Sequence, residues 1–113
     1  MRCSILNVIK IIQGSQEIVK VTLSASETER FDLTPFNAGK AIFKTTTGST
    51  VEKTLTIPGS DPKLGEITFT LDSVDTAEFD RSMKSFEIEL TYTAGSNQEV
   101  IILENSLEVT ERL

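Results

Sequence analysis

At 113 residues, with 38% hydrophobic and 25% charged side chains, the chain reads as one globular domain, 1–113, large enough to bury a working core without staples. Eleven basic against 17 acidic side chains give a net charge of −6, which argues against a nucleic acid or an anionic membrane as partner. Cys3 is alone, so no internal disulfide forms, which fits folding in a reducing cytoplasm.

The N-terminus carries one early positive charge but is too short and interrupted for a signal peptide, and the apolar run at 8–12 is broken by Lys10 and spans no membrane. Residues 4–12 are expected to form a first strand, although Ile5, Val8 and Ile9 fix no single inward face. Gly14 and Ser15 break it. A strand over 17–23 follows, with Val19, Val21 and Leu23 on one face and Lys20 and Thr22 on the other. After a polar connection at 24–30, Phe31 and Leu33 re-enter the core and Pro35 turns the chain. Gly39 precedes a strand over 40–46 carrying Ala41 and Phe43. Gly48 and Ser49 make a hairpin turn, because glycine tolerates the positive φ of tight turns. Val51, Lys53, Leu55 and Ile57 then alternate with Glu52, Thr54 and Thr56, and residues 58–62 are a loop by composition.

Residues 66–71 place Ile67, Phe69 and Leu71 inward and Glu66, Thr68 and Thr70 outward. A helical turn is expected within 72–83, where Asp75 and Glu78 have capping-box spacing and Val74, Phe79 and Met83 lie near a helical period. Residues 85–93 alternate strictly, Phe86, Ile88, Leu90 and Tyr92 against Glu87, Glu89, Thr91 and Thr93. A strand with one apolar and one acidic face covers a core on one side only, as in an antiparallel sheet. A turn at 94–97 leads to a return strand over 99–104, which Leu107 and Val109 continue after a break at Asn105 and Ser106. Short strands with turn signals every 8 to 12 residues are the pattern of an Ig-like sandwich or a small barrel. The expected fold is an all-β, antiparallel Ig-like β-sandwich of seven to eight strands with one short helical turn. Its expected core includes Phe43, Leu55, Ile67, Phe69, Leu71, Phe86, Ile88, Leu90 and Tyr92.

Reactive chemistry is scarce. Without histidine there is no ordinary general base at neutral pH, and histidine-based triads are excluded within the chain. Cys3 has no imidazole to activate it, and no glycine-rich phosphate cradle occurs. Asp72, Asp75, Glu78 and Asp80 cluster within nine residues, but their spacing matches no EF-hand loop, and a solvated, capping role is expected rather than a calcium site. Glu87 and Glu89 lie about 7 Å apart on one strand face. A paired-carboxylate glycosidase would also need a cleft and aromatics, and the chain has no Trp and one Tyr. No catalytic residue, cofactor or metal is expected.

The stretch Phe31-Asp32-Leu33-Thr34, followed by Ala41-Ile42-Phe43, resembles the "D-L-T … a-x-F" segment of Ig-like modules in phage tails and baseplates. The strand at 65–71, the turn Asp75-Thr76-Ala77 and the strand from Phe86 to Tyr92 are similar to the N-terminal domain of siphophage upper baseplate proteins. That family often has glycine and an aromatic entering the penultimate strand, where this chain has Lys84-Ser85-Phe86. The resemblance implies a non-enzymatic structural protein of the virion, made in the host cytoplasm and touching other virion proteins or copies of itself. It supplies no catalytic residues. The alternative is a stand-alone adhesion or carbohydrate-binding sandwich module.

Two segments are apolar on both faces, 8–12 and 100–103. A sandwich core uses one face of each strand, so the second must be covered by a loop, a helical turn or another subunit, and another subunit, in a homo-oligomer or virion contact, is expected. Ile9, Ile11, Ile101 and Leu103 are the candidate interface residues, and a charge at Ile101 is expected to disrupt assembly while leaving the monomer folded.

Overall fold

The computed structural model describes residues 4–5, 8–25, 29–45, 48–57, 64–94 and 97–111. Cys3, the loop at 58–62 and the centre of the turn at 94–97 lie outside them. Among the described residues there are nine strands, β1 (Ser4–Ile5), β2 (Ile9–Ile12), β3 (Glu17–Ser24), β4 (Phe36–Lys44), β5 (Thr50–Thr54), β6 (Glu66–Leu71), β7 (Phe86–Tyr92), β8 (Gln98–Leu103) and β9 (Leu107–Thr110). One short helix, α1 (Ser73–Ala77), lies between β6 and β7.

The strands form an Ig-like antiparallel sandwich. One sheet has the order β1-β3-β6 and the second β5-β4-β7-β8, and β2 and β9 form a separate two-stranded pair. Alternation places the core. Val19, Val21 and Leu23 of β3 and Ile67, Phe69 and Leu71 of β6 are buried against Ala41, Phe43, Phe86, Ile88, Leu90, Ile101 and Leu103 of the second sheet. Leu55 is buried with them, as the alternation predicts, whereas Tyr92 is only half-buried and packs against the core from its margin. At the centre, the Phe43 ring lies 5.8 Å from Phe69 in the opposite sheet, 4.9 Å from Phe86 and 5.0 Å from Phe79.

The expected first strand divides in two. β1 pairs antiparallel with β3, while β2 pairs parallel with β9, a departure from the all-antiparallel expectation. This explains the irregular apolar spacing of 4–12: the chain changes partner, so no single period-two face runs through it. The C-terminal segment makes the matching move. Phe86 opposes Leu103, and beyond Glu104 and Asn105 the amides of Ser106 and Leu107 both donate to Lys84 O, at 2.9 and 3.0 Å. β9 therefore continues the line of β8 after an outward step, with Asn105 at φ 54°. On the opposite side, the N–H groups of Thr56 and Thr68 each donate to the other's carbonyl, tying the chain after β5 to β6. Both sides of the sandwich are thus stitched.

β4 begins at Phe36, four residues before the expected strand, with Gly39 inside it. A bulge between Phe36 and Ala38 breaks the alternation that would have revealed this. A Cβ on Gly39 would stand 2.8 Å from Glu89 O, so the approach of β7 requires glycine there. The helical turn lies at the start of the expected range and is capped by Asp72 and Asp75 rather than by Asp75 and Glu78; the Asp72 amide donates to Asp75 Oδ2 at 2.9 Å. Phe79 and Met83, beyond the helix, fill the core, whereas Val74 faces solvent. Thr76 Oγ1 donates to Ser15 O and Gln13 Nε2 to Phe79 O, both at 2.6 Å, fastening this connection to the β2–β3 turn.

Gly65 has φ +70°, and a Cβ there would stand 2.5 Å from Leu23 O and 3.0 Å from Phe31 O. Gly65→Ala is expected to lower unfolding stability by about 2 kcal/mol or more, through left-handed strain and collision with backbone that cannot yield. Phe43→Ala is expected to cost about 3–5 kcal/mol by leaving a cavity among three rings. Urea unfolding midpoints measure both, and an unchanged midpoint for either variant contradicts this packing.

Candidate functional site: the open edge at β8

The acidic residues that invite a metal are engaged locally. Asp75 caps α1 and accepts from Lys53 Nζ at 2.6 Å, and Asp72 lies 3.4 Å from the same ammonium. The bond to Asp75 raises the Lys53 pKa above its ordinary value. Asp80 Oδ1 accepts from the amide and hydroxyl of Ser82. Among the described residues no group of three or more such side chains is placed to hold a metal ion.

The aromatics are equally committed. All six phenylalanines are buried. The ring of Tyr92 packs tilted against Phe36, with centroids 4.6 Å apart, and its hydroxyl donates to Glu99 Oε2 at 3.2 Å. No phenylalanine ring is left to stack on a sugar, and the one tyrosine is held at the core margin.

What stands out is the exterior of the larger sheet. Its outward residues follow from the inward ones by period two: Lys40, Ile42 and Lys44 on β4, Glu87 and Glu89 on β7, Val100 and Ile102 on β8. The glutamates face lysines of the same sheet. Lys44 Nζ lies 3.1 Å from Glu87, and Lys40 Nζ lies 3.4 Å from Glu52 and 3.9 Å from Glu89. Pairs this exposed stabilise the fold little, but they neutralise the charge beside β8. Under them Ile42 is buried, only 8% exposed, although it is on the outer face. Ile42, Lys44, Phe86, Glu87 and Ile102 line a shallow groove there.

On β8 itself Val100 is 47% and Ile102 58% exposed. β8 pairs with β7 on one side, and among the described residues no strand pairs with its other side. The chain here has an open sheet edge with an apolar outer face.

The expected interface residues lie in or against the chain's own core. Ile11, Ile101 and Leu103 are fully or almost fully buried in the chain's own core, and Ile9 is half-buried against it. Ile11, Ile101 and Leu103 therefore present almost no surface to a partner, and a charge at Ile101 would unfold the domain rather than disrupt assembly alone. The opposed pairs Phe86–Leu103 and Ile88–Ile101 fix this parity. The second apolar face anticipated in both segments does exist, carried by Val100 and Ile102 on β8 and by Val8 and Ile12 beside β9. Ile18 on the other sheet is 81% exposed, on the outward face that it shares with Lys20 and Thr22.

No family model matches the chain, and no curated protein matches it.

Burial, and next to it the Glu99 carboxylate, raises the Tyr92 pKa above the ordinary tyrosine value of 10.0. The folded chain thus favours the neutral phenol. The stability this contributes is present below the ordinary value and is lost as pH rises through the raised one. With a single tyrosine and no tryptophan, phenolate absorbance reads this group alone. The native titration is expected above the denatured one, and Glu99→Gln is expected to bring it down towards the denatured value. Coincident native and denatured curves would contradict the geometry.

Proposed function

We propose that the chain is a non-enzymatic assembly module that binds another protein through the open edge and outer face of β8. The observation that carries this reading is the combination at Val100 and Ile102: apolar side chains that remain exposed, on a strand whose second edge has no partner among the described residues. A sheet edge offers a row of backbone donors and acceptors that another chain can complete, with adjacent side chains giving specificity. The absence of histidine from the sequence and the local engagement of the acidic cluster support a binding role over a catalytic one. The resemblance to phage tail and baseplate modules gives the setting: a structural part of a virion, made in host cytoplasm, whose partner is another virion protein or a copy of itself. Sandwiches serve many unrelated roles, so the assignment rests on the edge and not on the fold.

The test is crosslinking in the producing cells followed by affinity capture of tagged chain, with mass spectrometry of what is held. A virion structural protein or an untagged copy is expected to be retained by the native chain. Ile102→Glu is expected to reduce that capture roughly tenfold or more, the effect of about 1.4 kcal/mol in binding, with its melting temperature nearly unchanged because the site is exposed. Capture of nothing specific, or capture indifferent to Ile102→Glu, overturns the reading.

A further inference from the structure

We infer that the occupant of the β8 edge is a second copy of β8, paired antiparallel about a two-fold axis at Ile101, so that two four-stranded sheets become one of eight. The inference rests on the protein-binding reading above and names its partner.

The backbone pattern supports it. Tyr92 N–H donates to Asn97 O at 3.1 Å, and Thr91 opposes Gln98. In an antiparallel ladder polar groups alternate between the two sides of a strand. Residues 97, 99, 101 and 103 therefore turn their N–H and C=O groups towards β7, and 98, 100 and 102 turn theirs to the open edge. Centring the pair on Ile101 sets Val100 against Ile102 of the other copy, twice by symmetry. The same two residues supply the open backbone groups and the exposed apolar side chains.

The charges are compatible with self-pairing despite a net −6 on each copy. Flanking the strip, Glu87 and Glu89 face Lys44 and Lys40 of their own sheet. Glu99 accepts from the Tyr92 hydroxyl. In this register Glu99 opposes Leu103, and Glu104 opposes Gln98, whose amide can donate to a carboxylate. No like charges face one another across the junction. A basic partner, by contrast, would meet a strip whose acidic flanks are already neutralised.

Six residues make a seam about 20 Å long, below the standard size for a tight complex, so the dimer is weak and concentration-dependent. Sedimentation velocity from roughly 10 to 500 µM is expected to show the 12.5 kDa chain shifting towards twice that mass, over the range in which a weak interaction becomes populated. Val100→Lys, at an exposed site, is expected to remain folded by circular dichroism and to weaken the dimer at least tenfold. In a Cys3→Ser background, mixed Val100→Cys and Ile102→Cys chains are expected to form mainly the mixed disulfide on mild oxidation, which reports the register. A native chain monomeric at every concentration overturns the inference, as does a dimer indifferent to Val100→Lys. If the chain stays monomeric yet captures a different virion protein through Ile102, the second copy is ruled out and the protein-binding reading stands. If it captures nothing either, both fall.

Discussion

Phe43 holds the sandwich in alignment. Its ring meets Phe69 from one sheet, Phe86 from its own and Phe79 from the connection that follows α1. Three structural layers therefore share one contact, and displacing any of them opens a void in a closely packed interior. The parity of β4, β6 and β7 follows from it. With Phe43, Phe69 and Phe86 inward, Lys40, Lys44, Glu87 and Glu89 are outward, and the charged ladder beside β8 is the other side of the same constraint. The character of that outer surface is thus a consequence of the core.

A sandwich of two open sheets has edges to manage, and this chain manages most of them locally. β1 is two residues long, too short to template a partner. The Thr56–Thr68 bridge closes the gap between β5 and β6, and β5 carries Glu52 and Lys53. β9 is covered by β2. β8 has neither proline nor lysine nor a bulge, and its one acidic residue, Glu99, is drawn towards Tyr92. A protected edge would show the devices the other strands use. Their absence from one strand only is the physical basis for assigning that strand a partner.

Much of the architecture was legible in the alternation, and the reason is burial on one face. β3, β6 and β7 have a polar outer face, so period two declares which residues point inward, and Val19, Ile67, Phe69, Ile88 and Leu90 are buried accordingly. β8 and β2 are apolar on both faces, so the same period leaves two equal solutions. The structure chooses Ile101 and Leu103 for the core and leaves Val100 and Ile102 outside, because Ile88 and Phe86 oppose them in the ladder. That choice depends on the length and conformation of the β7–β8 turn, which composition does not specify. β4 was displaced for a related reason: its bulge at Asn37 interrupts the period, and Gly39 reads as punctuation although it serves close packing of β7 against β4. The parallel pairing of β2 is a non-local fact with no local signature. The existence of a second apolar face was readable, but its residues were not.

An open apolar edge is ordinarily a hazard, since strand addition can repeat without end. Whether it does depends on what the opposite edge offers. Growth into a filament requires each copy to present two complementary edges, and here the far edge of the same sheet is β5, which carries Glu52 and Lys53 and is followed by the bridge to β6. A β8 edge has no acceptor there. Pairing about a two-fold axis uses the same surface on both copies and consumes it, so an assembly of the proposed kind closes at two. Glu99 within β8 and Glu104 just beyond it bracket the apolar run, where flanking charges discourage pairing in slipped registers. The arrangement that exposes Val100 and Ile102 thereby restricts what can be built from them: one added strand, in one orientation, with no free edge of the same kind left over.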